Sequence, residues 1–183
     1  MTAALVIGVD IGTTATKSVA FSLDGKAVAS ASVGYPLDEP APGHAVQDPQ
    51  LIVAAVLATI RAVVDEVGAD AVAGLSFSSA MHSLIALDES FAPITPSITW
   101  ADSRAAGHAE RLRGTELGRR LHQTTGTPIH AMSPALKLQW FRDEEPTTWD
   151  AARFWVGIKE YVLWRLSGEL VMDHSLASCS GLL

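Results

Sequence analysis

The chain has 183 residues, 48% hydrophobic and 18% charged, enough to bury a core in one large or two small domains and unlike a disordered chain or a coiled coil. Thirteen Lys plus Arg against twenty Asp plus Glu leave a net charge of -7 without a basic cluster, which argues against a nucleic-acid partner. The single cysteine, Cys179, excludes a disulfide framework and a cysteine-built zinc site and fits a cytoplasmic location; the mean hydropathy of +0.23 comes from scattered alanines, with no apolar run near the ~18 residues of a membrane span.

The start, Met1-Thr2-Ala3-Ala4, carries no basic leader, so no signal peptide is expected. Residues 5–9 form a β-branched apolar run that predicts a buried strand, followed at once by Asp10-Ile11-Gly12-Thr13-Thr14. Two strand-like segments, 17–23 and 26–33, flank Asp24-Gly25, a dipeptide that tolerates the positive φ of a hairpin turn. Residues 35–47 carry three prolines without a period and read as a loop. Asp48-Pro49 then opens a helix whose apolar positions are Leu51, Ala55, Ile60, Val63 and Val67, stopped by Gly68.

A further strand, 71–77, delivers Ser78-Ser79-Ala80-Met81-His82 to a loop; residues 84–87 resume a strand before a turn at 88–90. Residues 98–100 are a third strand, ending in Asp102-Ser103-Arg104. Helices are predicted over 103–112, 115–124, 133–142 with Ser133-Pro134 as its start, and 158–166 stopped by Gly168; Gly126-Thr127-Pro128 separates the second from the third. The tail, 172–183, shows no helix signal and no strand partner.

Three stretches carry chemistry. A carboxylate at the end of a buried strand, Asp10, can hold hydrated Mg²⁺; Gly12 lets backbone approach a phosphate, Thr13 and Thr14 can donate to phosphate oxygens, and Lys17 adds positive charge. The alternative is a plain strand-turn corner in which Asp10 satisfies the amides of the turn. His82 could bind a polyol hydroxyl or a carboxylate, or be a packing histidine. Trp100 could shield a substrate from water, while Asp102 could cap the next helix and pair with Arg104 without any ligand. The spacing does not match a Walker loop, and the chain lacks a His-Glu-x-x-His helix, a nucleophile elbow and paired cysteines.

Five stretches in order resemble the FGGY carbohydrate kinases, whose fold is similar to actin, hexokinase and the Hsp70 ATPase. They are Gly8-Val9-Asp10-Ile11-Gly12-Thr13-Thr14-Ala15-Thr16-Lys17; Ser76-Phe77-Ser78-Ser79-Ala80-Met81-His82-Ser83; Thr95-Pro96-Ser97-Ile98-Thr99-Trp100-Ala101-Asp102-Ser103-Arg104; Thr125-Gly126-Thr127-Pro128; and Ile158-Lys159-Glu160-Tyr161 with Asp173-His174-Ser175-Leu176-Ala177-Ser178. Within the family the match is most similar to gluconokinases, with xylulokinases second.

The resemblance implies an α/β, actin-like (ribonuclease H-like) domain, its mixed sheet opening with three antiparallel strands and its helices on both faces. It also implies ATP- and Mg²⁺-dependent phosphorylation of a sugar or sugar acid in a cleft between two such domains. Asp10 would organise the metal, and Gly12, Thr13, Thr14 and Lys17 would lie at the phosphates. Met81, His82 and Trp100 would line the sugar site, with Asp102 and Arg104 beside it and Lys159 as an anchor for a substrate carboxylate. The family's catalytic base lies downstream, and none of Asp143, Asp150 or Asp173 has its glycine-bearing context. Residues 1–183 are therefore expected to be most of an N-terminal sugar-binding domain, inactive alone, with neither nucleic acid nor membrane as partner and a homodimer as the assembly of the full-length protein. A non-catalytic sugar-sensing module and an Hsp70- or actin-type ATPase are the competing readings.

Overall fold

The computed structural model describes residues 4–183; Met1, Thr2 and Ala3, on which the expectation about a leader rests, lie outside the described residues. In chain order the elements are β1 (Leu5–Ile11), β2 (Ala15–Ser22), β3 (Ala27–Gly34), β4 (Val46–Gln47), α1 (Pro49–Val67), β5 (Val72–Ser79), β6 (Ile85–Leu87), β7 (Ser97–Ile98), α2 (Ala106–Leu112), α3 (Glu116–Thr125), α4 (Pro134–Glu144), α5 (Pro146–Ala151), β8 (Phe154–Val156), α6 (Ile158–Ser167) and α7 (His174–Ser178). They fall into two units, one of residues up to Pro36 with Gln50–Ala80, the other of Leu37–Pro49 with Met81–Leu183.

In the first unit β1 buries Leu5, Ile7, Val9 and Ile11 on one face and turns Val6, Gly8 and Asp10 to the other, the two-residue period of a strand. β2 pairs antiparallel with β1 and β3 antiparallel with β2, joined by a turn in which Gly25 takes a φ of 86°; β5 runs parallel to β1, giving the order β3-β2-β1-β5. The mixed sheet with its three antiparallel opening strands is thus as the sequence implies. α1 has the predicted span, and of the expected stripe Ala55 and Val63 are buried, joined by Ile52, Val56 and Thr59, while Leu51 is exposed and Ile60 and Val67 are half-buried. The polar Thr59 belongs there because Ser18 of β2 donates a hydrogen bond of 2.8 Å to its hydroxyl, each group satisfying the other away from water.

The second unit contains two short antiparallel pairs, β4 with β7 and β6 with β8. The 35–47 segment is therefore not all loop, since Val46 pairs with Ile98 and bridges to Asp38. Val46, Leu84, Ile98 and Phe141 form a core lined by Trp140, Trp149 and Trp155; Ala105, Ala109, Ala131 and Leu136 form a second. α2 starts at Ala106 rather than Ser103, whose N–H donates instead to the Gly43 carbonyl at 2.8 Å. Ser133 precedes α4 without capping it, its hydroxyl donating to the Ser180 carbonyl at 3.0 Å. The tail, read as featureless, holds α7, capped by the Asp173 carboxylate accepting from Leu176 N–H at 3.1 Å. Among the described residues no helix is long and apolar enough to cross a membrane.

Candidate functional site

In the first unit Asp10 lies opposite Lys17 on β2 and beside Ser78 on β5, so the three share one face of the sheet. With Gly8, Phe21 and Ser76 they line a concavity of about 310 Å³. The turn that follows is closed by backbone bonds and by Tyr35. Gly12 N–H donates to the Ala15 carbonyl at 3.0 Å, the Tyr35 hydroxyl donates to the Gly12 carbonyl at 2.7 Å, and Tyr35 N–H donates to the Thr14 carbonyl at 3.1 Å. A Cβ on Gly12 would lie 3.0 Å from the Ala15 oxygen, so the tight turn favours glycine. Burial pushes the Tyr35 phenol above its ordinary pKa, keeping it a donor.

Asp10 and Lys17 are both exposed. Among the described residues no group of three or more His, Cys, Asp or Glu is placed to hold a metal. An exposed single carboxylate beside a lysine and a braced glycine turn fits a hydrated Mg²⁺ with phosphate oxygens better than a fully protein-ligated ion.

In the second unit the chain passes through Met81, 39% exposed, into His82, whose φ of 65° is unusual for a residue with a side chain. Burial, with the Lys137 ammonium adding, pushes the His82 imidazole below its ordinary pKa, and its Nδ1 is buried without a hydrogen-bond partner. The neighbouring Ser83 hydroxyl accepts from Ile158 N–H at 2.9 Å, fastening this turn to the start of α6. There Glu160 is buried; burial pushes its carboxyl up, against the opposing pull of the backbone at Glu160 and Gly157, and Oε1 has no partner.

Trp100 is 49% exposed, whereas Asp102, two residues on, is 1% exposed. Asp102 Oδ1 accepts from Arg104 N–H and Nε at 3.1 and 2.8 Å, and Oδ2 from Arg104 Nη2 and Ala45 N–H, both at 2.8 Å. Burial works against the Asp102 charge, and the Arg104 and Ala45 donors outweigh it, holding the carboxyl below the ordinary range. The Arg104 guanidinium in turn sits 5.0 Å from the Trp140 ring centroid. The pair therefore braces the turn after Trp100 and forms the ligand-free partnership that the sequence allowed, without capping α2.

Lys159 Nζ donates to Asp173 Oδ2 at 2.7 Å, and Asp143 is paired with Arg142 at 2.9 Å. Lys137 went unnoticed in the sequence. It is 0% exposed, and its ammonium donates to the carbonyls of His82 and Thr99, each at 2.6 Å. Burial pulls it down to about 7, against the attraction of Asp102 and with Arg104 adding. Its available signal was position: Lys137 stands three and four residues before Trp140 and Phe141, on the apolar stripe of α4.

The sequence matches the FGGY family of carbohydrate kinases, N-terminal domain, over residues 5–183. It is 43% identical over 178 residues to a gluconokinase of Bacillus subtilis, a match covering 97% of this chain and 35% of that protein. Among solved structures, the gluconate kinase from Lactobacillus acidophilus superposes with a TM-score of 0.95 at 40% identity, over 99% of this chain and 37% of the other. A xylulose kinase from the same organism superposes with a TM-score of 0.94 at 41% identity, over 98% and 36%. The chain thus spans about a third of the length of the relatives it matches.

Proposed function

The chain belongs to the FGGY family of carbohydrate kinases, and on that premise we propose that the protein transfers a phosphoryl group from Mg·ATP to a hydroxyl of gluconate, giving 6-phosphogluconate. The observation that carries the kinase reading is the exposed Asp10 carboxylate beside Lys17 at the end of β1, next to a glycine turn braced from outside by Tyr35. A scaffold or sugar sensor has no use for that carboxylate. The choice of gluconate rests on the 43% identity to a gluconokinase; the xylulose kinase superposition at 41% keeps a ketopentose as the second reading.

Residues 1–183 are read as most of the sugar-binding N-terminal domain, because the match covers 35% of a relative's length. Bound Mg·ATP supplies the electrophilic γ-phosphoryl group. Asp10 would orient the hydrated metal, with Gly12, Thr13, Thr14 and Lys17 toward the phosphates, where placement and charge neutralisation account for most of the catalysis. Met81, His82 and Trp100 would contact the sugar. Asp102 and Arg104 would act beside the site by holding the Trp100 turn. Lys159 would meet the substrate carboxylate by sharing its ammonium with Asp173. The base that takes the hydroxyl proton is assigned to no residue here, and Asp143 and Asp173 already hold cationic partners.

Incubating the full-length protein with Mg·ATP and a panel of sugars, sugar acids and water alone, with products read by mass spectrometry, tests this reading. An ATP-dependent sugar-acid phosphate is the expected product. Release of inorganic phosphate alone, unaffected by any sugar, would turn the reading toward an ATPase.

A further inference from the structure

Two turns in the second unit bear the proposed sugar contacts, Met81–His82 and Trp100, the first fastened to α6 through Ser83 and the second braced by Asp102 and Arg104. His82 takes a left-handed backbone conformation that is uncommon for a residue with a Cβ. Thr99, the residue before Trp100, is buried, and its carbonyl receives only a long 3.2 Å bond from Asp102 N–H within its own turn. Both carbonyls face Lys137, which reaches them from α4 at 2.6 Å each.

We propose that Lys137 is the positioning residue of the sugar site, its ammonium clamping the His82 and Thr99 carbonyls so that the Met81–His82 and Trp100 turns keep one fixed separation. A fully buried ammonium is costly, and a methionine or leucine on the apolar stripe of α4 would avoid that cost. Its presence is explained by the two carbonyls, which no apolar side chain can satisfy. Lysine suits the task because its flexible stem carries three donors on one atom, allowing a single group to bond two chain segments.

This inference rests on the sugar-kinase reading for its consequence but not for its geometry, so two measurements separate them. In the full-length protein, Lys137→Ala should raise the sugar KM by about tenfold or more while the ATP KM stays within about twofold, and added propylammonium should restore much of the loss. Independently of any substrate, amide hydrogen exchange should accelerate at Leu84, Thr99 and Asp102 while the β1–β2 ladder is unchanged. If the native protein phosphorylates no sugar, the kinase reading fails and exchange alone judges the clamp. Equal loss in sugar and ATP parameters, or exchange that rises throughout the protein, would overturn it. Should Lys137→Ala not fold, Lys137→Met, which keeps the volume, is read in the same way. Failure of both to fold, with or without propylammonium, would make Lys137 a stability residue and overturn its positioning role.

Discussion

Replacing Asp10 by asparagine lowers kcat of the full-length kinase by on the order of 100-fold or more and leaves the sugar KM nearly unchanged. The two side chains have the same shape, and Asp10 is exposed near the end of β1, so the fold and melting temperature should hold. What disappears is the negative charge on the face shared with Lys17 and Ser78. If that charge orients the metal that neutralises the transferring group, its loss falls on the transition state and not on the sugar, whose contacts belong to other turns. Steady-state kinetics with each substrate varied in turn checks this, and an Asp10→Asn enzyme with wild-type turnover would remove Asp10 from the phosphate site.

Asp102→Ala should destabilise the protein by about 3–5 kcal/mol, the usual cost of breaking a buried, hydrogen-bonded ion pair. Asp102 is 1% exposed, and truncation leaves Arg104 without its bidentate partner and the Ala45 N–H without an acceptor. Pairing the change with Arg104→Met should recover part of the loss, since no unpaired guanidinium then remains over Trp140. The pH dependence has a defined sign. The folded carboxyl lies below its ordinary value of 3.8, so its contribution is complete above that pH and fades as pH falls through the folded value. Urea unfolding at neutral and acid pH should therefore show the gap between wild type and Asp102→Ala narrowing on acidification; a gap of constant size would mean that the pair contributes through packing alone.

Much of the first unit is readable in the sequence because its signals are local. The apolar run at β1, Asp24-Gly25 between β2 and β3, and Pro49 and Gly68 at the ends of α1 each act within a few residues. The buried face of α1 was readable only in part, at Ala55 and Val63, because residues 51–60 are apolar at nearly every position and spacing alone cannot choose a stripe; the polar Thr59 lies inside through its bond with Ser18. β4 and β8 are two or three residues long and exist through distant partners, so no period reveals them, whereas the strand expected at 98–100 is β7, which ends at Ile98. The same holds at the site. Asp10, His82 and Trp100 stand out as polar or aromatic residues at strand ends, whereas Tyr35 and Lys137 act on backbone carbonyls far along the chain and leave no motif.

The most direct test of the account is the ratio of kcat/KM for gluconate to that for xylulose, measured with Mg·ATP on the full-length protein. The account predicts a ratio of about ten or more in favour of gluconate, a difference of roughly 1.4 kcal/mol in transition-state binding. A ratio reversed by the same factor would contradict the sugar-acid assignment while leaving membership of the kinase family intact.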